Sequence, residues 1–325
     1  MTAPARVGVA GAGYWGANLV RACGELGVLH AVADPDPQRL AAVRAAHPGV
    51  LATPDYSALL DAVDAVVIAA PAAEHAALAL EAIRHRRHVF VEKPLALTLA
   101  DARRVADAAD AAGVTAFVGH VLLYHPAVRA LLEAARSGAV GDVTHVRSRR
   151  LNLGKIRTHE DVWWSFAPHD VALCLALLGP GVIGASGSLQ HARGAAVADF
   201  AYADLTFTGE RSAHVEVSWL DPNRSARLDA FGTRGVLTFE DSRAGATLVR
   251  RVYDASAPVP VAGPPEAIAF EAGEPLRLEL EAFLACVAGG PPAPTSARAA
   301  VDVVAILEAV SAAARPPAVA EVAVA

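Results

Sequence analysis

Val7-Gly8-Val9-Ala10-Gly11-Ala12-Gly13-Tyr14-Trp15-Gly16 decides the fold of this chain. Its apolar opening reads as a short buried strand, and residues 11–16 match G-x-G-x-x-G. That spacing becomes specific when a strand precedes it, a helix follows it, and an acid ends the next strand about 20 residues on. The sequence meets all three conditions, with a helix expected over 14–26, a strand over 28–33, and Asp34 behind it. In such a loop Gly11 permits the tight turn, Gly13 lets the backbone approach a pyrophosphate, and Gly16 lets helix and strand pack closely. Ala12, Tyr14 and Trp15 complete the loop, and the helix N-terminus offers N–H groups to phosphates. The alternative is a glycine-rich turn that serves packing alone. Asp34 suits the hydroxyls of an adenosine ribose and repels a 2′-phosphate. Arg39 lies a turn into the next helix, so NAD is favoured over NADP.

Working outward, strand and helix alternate as far as Gly119. Strands are expected over 64–70, 88–92 and 115–119, and helices over 37–46, 72–86 and 98–112, with Thr98 as an N-cap. This alternation implies α/β architecture, a doubly wound parallel sheet with helices on both faces. The pattern then changes. After a helix over 126–137, strands over 142–151, 187–191, 200–208, 212–219, 226–232 and 236–240 read as antiparallel hairpins. One helix over about 169–178 interrupts them, and two helices, near 275–287 and 297–314, close the chain. A dinucleotide-binding domain is expected at 1–121 and an α+β substrate and oligomerisation domain at 122–325.

Composition narrows the function classes. In 325 residues, 54% are hydrophobic and 19% charged, a globular balance. The net charge of −6, with no basic block carrying interleaved aromatics, argues against nucleic acid. Cys23, Cys174 and Cys286 are isolated and read as small buried residues in a reducing compartment. A secretory leader is not expected at the start. The uncharged stretch 171–192 is broken by Gly179-Pro180-Gly181, so it reads as a helix and a strand rather than a membrane span. The expectation is a soluble cytoplasmic protein. His159, Glu160, Asp161, His169 and Asp170 match no metal-binding template, and no metal is expected.

Two residues stand out chemically. Glu92-Lys93-Pro94 ends an apolar strand, and the carboxyl ends of such strands are where ligands bind. A lysine there can steer a hydroxyl proton and stabilise oxyanion character; the alternative is a surface lysine paired with Glu92. The second candidate is His169, after Pro168 at the expected helix start, where the helix dipole favours neutral imidazole, a possible base. The alternative is a structural histidine. His120, Tyr124 and His125 follow the last strand of the first domain and are expected to border the nicotinamide.

These residues carry a family resemblance. Residues 11–16, Ala69-Ala70-Pro71 with His75, Glu92-Lys93-Pro94, and the His169 helix ending in Leu177-Leu178-Gly179 resemble the glucose-fructose oxidoreductase/inositol dehydrogenase/MocA (Gfo/Idh/MocA) family. The resemblance implies a Rossmann domain followed by a domain with a large, open, mostly antiparallel sheet. It also implies NAD(P)-dependent oxidation of sugar or cyclitol hydroxyls, with Lys93 and His169 catalytic. Ala70, Pro71, His75, Glu92, Lys93 and His120 join residues 11–16 and Asp34 as cofactor-site candidates. The family often has aspartates where this chain has Ser165 and Ala172. Residues 13–19, Arg149-Arg150-Leu151-Asn152-Leu153-Gly154-Lys155-Ile156-Arg157, and Trp164 to Asp170 resemble a nucleotide-sugar branch of 3-dehydrogenases and 3-ketoreductases. Tyr124, Arg149, Asn152, Arg157, Trp164 and Ser165 are substrate candidates beside Lys93 and His169, since cations suit a diphosphate. A solvated basic strand edge, a free-sugar or inositol dehydrogenase, and a non-catalytic dinucleotide sensor are the alternatives. A broad open sheet calls for a homodimer or homotetramer.

Overall fold

The computed structural model describes residues 5–154, 156–158, 160–194, 196–242, 245–254 and 259–314. The chain forms two compact units, one of Met1–Tyr124 with Gly273–Val304 and one of His125–Ala272 with Ala305–Ala325.

The first unit begins with β1 (Val7–Ala10), α1 (Gly16–Glu25), β2 (Leu29–Ala33), α2 (Pro37–Ala46), β3 (Leu51–Thr53) and α3 (Tyr56–Ala62). It continues with β4 (Ala65–Ile68), α4 (His75–Arg84), β5 (His88–Glu92), α5 (Leu99–Ala112) and β6 (Ala116–Gly119). The strands form a parallel sheet in the order β3-β2-β1-β4-β5-β6. β1 and β4 are buried along their whole length, as apolar runs covered on both faces should be. Helix starts follow local chemistry. Asp36 accepts from the Gln38 N–H ahead of Pro37, and Thr98 accepts from the Asp101 N–H. β3 and α3 were not legible in the sequence, because three residues of strand and seven of helix are too few to show a period.

The second unit contains α6 (Pro126–Arg136), β7 (Val143–Leu153), α7 (Val162–Leu178), β8 (Val182–Gln190), β9 (Phe200–Phe207) and β10 (Arg211–Ser218). β11 (Leu220–Gly232), β12 (Gly235–Ser242), β13 (Gly245–Asp254), β14 (Val261–Ala262) and β15 (Glu266–Ala267) follow. The sheet order is β14-β13-β12-β11-β7-β10-β9-β8, with β15 on β13. Among the described strands of this sheet only the β10–β7 pairing is parallel, so the sheet is mixed and mostly antiparallel. α7 packs on one face of β7, β10 and β9.

α8 (Pro275–Val287) and α9 (Ala297–Ala313) end the described chain. The single expected cut at 121/122 places α8 with the later domain, yet α8 packs in the first unit. Phe283 of α8 lies edge-on to Phe90 at 5.7 Å and to Phe117 at 5.6 Å. The following segment covers the edge strand β6, with the Val118 N–H donating to the Thr295 carbonyl at 2.7 Å. Cys23 and Cys174 are buried, whereas Cys286 is only half-buried, with its thiol 3.2 Å from the Pro291 carbonyl. Among the described residues no helix is long and apolar enough to cross a membrane.

Candidate active site

β1 delivers the chain into Gly11, whose φ of 97° lies in the left-handed region. A Cβ there would lie 2.7 Å from the Ala69 carbonyl oxygen, and one at Gly16 would lie 2.0 Å from the Gly11 carbonyl oxygen. These two glycines are demanded by the fold itself. Gly13 differs, because the nearest atom to its Cβ would be Arg39 Nη1 at 3.5 Å. The space in front of Gly13 is open, as close approach of a diphosphate requires. No side chain caps the first turn of α1 among the described residues, although the Ala17 and Asn18 N–H groups donate to the Gly13 and Trp15 carbonyls, so an anion would use the N–H groups nearer the loop.

Asp34, 2% exposed, ties this loop to β2. Its Oδ2 accepts from the Ala12 N–H at 2.7 Å and its Oδ1 from the Asp36 N–H at 2.8 Å. Arg39 folds back from α2, placing Nη1 3.3 Å from Asp34 Oδ2 and Nε 3.3 Å from Asp36. The sequence leaves Arg39 a turn away, and the structure brings it onto the acid. A carboxylate offers about four acceptor positions, so Asp34 keeps capacity for a ribose hydroxyl. The glycine loop, the uncapped helix and Asp34 together fit a dinucleotide.

β5 carries the next group. Glu92, 8% exposed, accepts from the Trp15 indole N–H at 2.6 Å and from the Lys93 backbone N–H at 3.3 Å. Gly119, its neighbour on β6, makes room, since a Cβ there would stand 3.1 Å from the Glu92 carboxyl. Burial pushes Glu92 up to about 7, against the pull of the Trp15 bond and the Lys93 charge. Lys93 is half-buried, and its bond to Pro94 is cis. His120, 3% exposed, follows β6. Burial first, and then the Lys93 charge, push its imidazolium down to about 3, so it is a neutral imidazole. His75, at the start of α4, places Nδ1 2.7 Å from the Pro94 carbonyl and Nε2 2.9 Å from the Ala70 carbonyl. It thereby joins the Ala70-Pro71 turn after β4 to the Lys93-Pro94 turn after β5. Tyr124 is buried, with its hydroxyl 2.8 Å from Thr295 Oγ1. His125 caps α6 by accepting from the Ala127 N–H at 3.1 Å, a structural task.

In the second unit the structure corrects one expectation. α7 starts at Val162, capped by Asp161 through the Trp164 N–H at 3.0 Å, and Pro168 lies inside it. His169 is therefore well past the first turn, and the helix-terminus argument for its neutrality does not apply. Proline lacks an N–H and reads as a helix start. Burial of Val162, Trp163 and Ala167 carries the helix through it. Ser165 and Ala172 are both buried in α7. The Trp163 indole N–H donates to the Leu307 carbonyl and that of Trp164 to Ser311 Oγ.

Asp170 bolts α7 to the sheet. It is buried and accepts from Ser148 Oγ at 2.6 Å and from Arg150 Nε at 2.8 Å. The sequence signal was present in Ser148 and Arg150, two residues apart on one strand face. The basic segment thus divides. Arg150 is a structural cation, and Arg157 pairs with Glu160 at 2.6 Å. Half-buried Arg149 sits between Glu216 of β10 and Arg227 of β11. Asn152 is half-buried at the end of β7, and Lys155 and His159 lie outside the described residues. Among the described residues no group of three His, Cys, Asp or Glu side chains could hold a metal ion.

Comparison with known proteins agrees with this geometry. Residues 5–120 match the Gfo/Idh/MocA profile described as an oxidoreductase family with an NAD-binding Rossmann fold, and residues 128–238 match that family's C-terminal domain. Inositol 2-dehydrogenase 2 of Paenarthrobacter aurescens is 31% identical over 308 residues, covering 88% of this chain and 89% of that one. UDP-N-acetylglucosamine 3-dehydrogenase of Acidithiobacillus ferrooxidans is 32% identical over 175 residues, 54% of each chain. Its crystal structure superposes with a TM-score of 0.84 at 26% identity, covering 97% of this chain and all of that one. GenD2 from gentamicin A biosynthesis, solved with NAD, gives a TM-score of 0.81 at 26% identity over 97% of this chain and 95% of its own. Some sequence matches are partial, and the chain spans only 40% of an uncharacterized oxidoreductase of Streptococcus pneumoniae. With both domain profiles matched in order and the glycine loop, Asp34 and Lys93 placed as described, the chain belongs to the Gfo/Idh/MocA oxidoreductase family.

Proposed function

We propose that this chain is an NAD-dependent oxidoreductase that interconverts a secondary hydroxyl and a ketone on a sugar, at C3 of a nucleotide-linked hexose. The observation that carries the reading is Lys93. It directly follows a buried carboxyl at the carboxyl end of β5, beside a neutral His120 and two strands from the glycine cradle. Nicotinamide, when bound, supplies the hydride acceptor or donor. Asp34 and the Gly13 backbone hold the adenosine and diphosphate portions. Lys93 hydrogen-bonds the reacting oxygen and stabilises the negative charge that gathers there as hydride leaves or reaches carbon. His169 exchanges the hydroxyl proton, the role the family resemblance assigns to it. Arg149 and Arg157 are the cations for the substrate's diphosphate. The similarity to UDP-N-acetylglucosamine 3-dehydrogenase across nearly the whole fold supports the nucleotide-sugar choice.

A free cyclitol is the second reading, supported by the similarity to an inositol 2-dehydrogenase over 88% of the chain. The small buried residues Ser165 and Ala172, where the family often has aspartates, weigh against it. Following NADH absorbance with UDP- and dTDP-linked hexoses and myo-inositol separates the two readings. Turnover with myo-inositol alone, or with none of them in either direction, refutes the proposal. Lys93→Met should lower kcat by about 100-fold or more, the scale of general acid–base effects, while NADH affinity stays near wild type. Near-normal turnover in that variant removes Lys93 from the chemistry.

A further inference from the structure

α8 brings a second carboxyl group beneath the Lys93 strand end. Phe283 sets the register through its contacts with Phe90 and Phe117. Glu279 lies one turn before Phe283 on the same helix face, and Glu92 and Gly119 lie two residues beyond Phe90 and Phe117 on the same strand faces. A helical turn advances about 5.4 Å and a two-residue strand step about 6.6 Å, and the Glu92 charge acts on Glu279, so the two steps lead from the shared ring contact to neighbouring carboxyls. α8 also packs along α1, whose N-cap residue Trp15 bonds Glu92, and along the 121–124 turn that follows β6, the neighbour of β5.

Glu279 is 0% exposed, and among the described residues neither of its carboxyl oxygens has a hydrogen-bond partner. Glu92, by contrast, has two N–H donors and the Lys93 charge. Burial, and then the Glu92 charge, push Glu279 well above the carboxylate range. The ionisable groups around the pair are Lys93 after β5 and the neutral His120 after β6. α1 and the start of α8 contribute the exposed Arg21–Glu274 ion pair.

We propose that Glu279 is a positioning residue for Lys93: together with Glu92 it forms a carboxyl pair that holds one proton and sets a single negative charge behind the lysine. The proposal rests on the reading of Lys93 given above. Two neighbouring buried carboxylates repel, so the first proton is retained far more tightly than the second. Glu279 keeps it, because Glu92 has donors that favour its anion. The Glu92 oxygens then stay aimed at the Trp15 indole and the Lys93 N–H.

The test is infrared spectroscopy on the full chain, with NADH titration followed by tryptophan fluorescence. At about pH 8 exposed carboxyls are ionised, so a remaining protonated-carboxyl band reports buried acid. The wild type should show that band, Glu279→Gln should lose it, and Glu279→Asp should restore it. The pH dependence of NADH binding should show two carboxyl steps in wild type and only the lower one in Glu279→Gln. Absence of the band in wild type overturns the proposal without any variant, even if Glu279→Gln does not fold. Persistence of the band in Glu279→Gln, or restored binding in Glu279→Asp without the band, also overturns it. These readouts need no turnover, so inactivity toward every sugar would fail the functional reading alone.

Discussion

A methyl group at Gly13 should separate ligand binding from folding. In Gly13→Ala the new Cβ meets only the Arg39 guanidinium, Nη1 at 3.5 Å and Cζ at 3.9 Å, the end of a flexible side chain. Its cost to stability should stay within about 0.5 kcal/mol, as for a substitution that disturbs no packing. In Gly16→Ala the same methyl would lie 2.0 Å from the Gly11 carbonyl oxygen, and in Gly11→Ala it would lie 2.7 Å from the Ala69 carbonyl at φ 97°. Both contacts are with backbone, which cannot rotate away. Overpacking of this kind costs about 1–3 kcal/mol or more, and the left-handed backbone at Gly11 adds about 1–2 kcal/mol. At about 2–4 °C per kcal/mol for a domain of this size, Gly16→Ala and Gly11→Ala should melt several degrees below wild type, while Gly13→Ala should not. NADH binding, followed by fluorescence titration, should reverse the picture for Gly13→Ala. The methyl occupies the approach of the diphosphate and should weaken binding by about tenfold or more, or about 1.4 kcal/mol. Wild-type NADH affinity in Gly13→Ala, or a wild-type melting temperature in Gly16→Ala, would refute the division of labour among these glycines.

Asp34→Ala removes the carboxylate that repels a 2′-phosphate and leaves Arg39 held by Asp36 alone, so the ratio of kcat/KM for NADP over NAD should rise by about tenfold; an unchanged ratio removes Asp34 as the selector. Asp170→Ala leaves Arg150 as a half-buried cation without its acid and should cost about 3–5 kcal/mol in chemical denaturation, as breaking a buried pair does; a loss below about 1 kcal/mol contradicts the bolt between α7 and β7. Glu279 also predicts a pH dependence of stability. Its folded value lies above the ordinary 4.5, so its favourable contribution is complete below about 4.5 and is lost as pH rises from there through the folded value. Glu279→Gln, with nothing to ionise, should therefore gain melting temperature relative to wild type between about pH 5 and about pH 8, and a constant difference across that range sinks the assignment.

The glycine loop was legible because local geometry demands it. A positive φ at Gly11 and a carbonyl 2.0 Å from any Cβ at Gly16 leave no other residue possible, so the spacing survives as a readable pattern. The alternation of apolar strands and amphipathic helices, Asp34 behind β2, and Lys93 behind β5 were legible for the same reason: each depends on neighbours close in sequence. Pairings across distance were not. Phe283 against Phe90 and Phe117, Asp170 under Ser148 and Arg150, and Glu279 beneath Glu92 join residues whose separation along the chain carries no period. The start of α7 was hidden too, because a proline inside a helix looks like a boundary until burial overrides it. By itself the sequence determined the class of cofactor fold and the identity of the lysine at its ligand edge, since both follow from backbone sterics and strand order. Only the tertiary structure decided which acids stand behind that lysine and which arginines are already committed to holding the sheet. Burial and charge pairing are properties of the packed chain, and no local spacing encodes them.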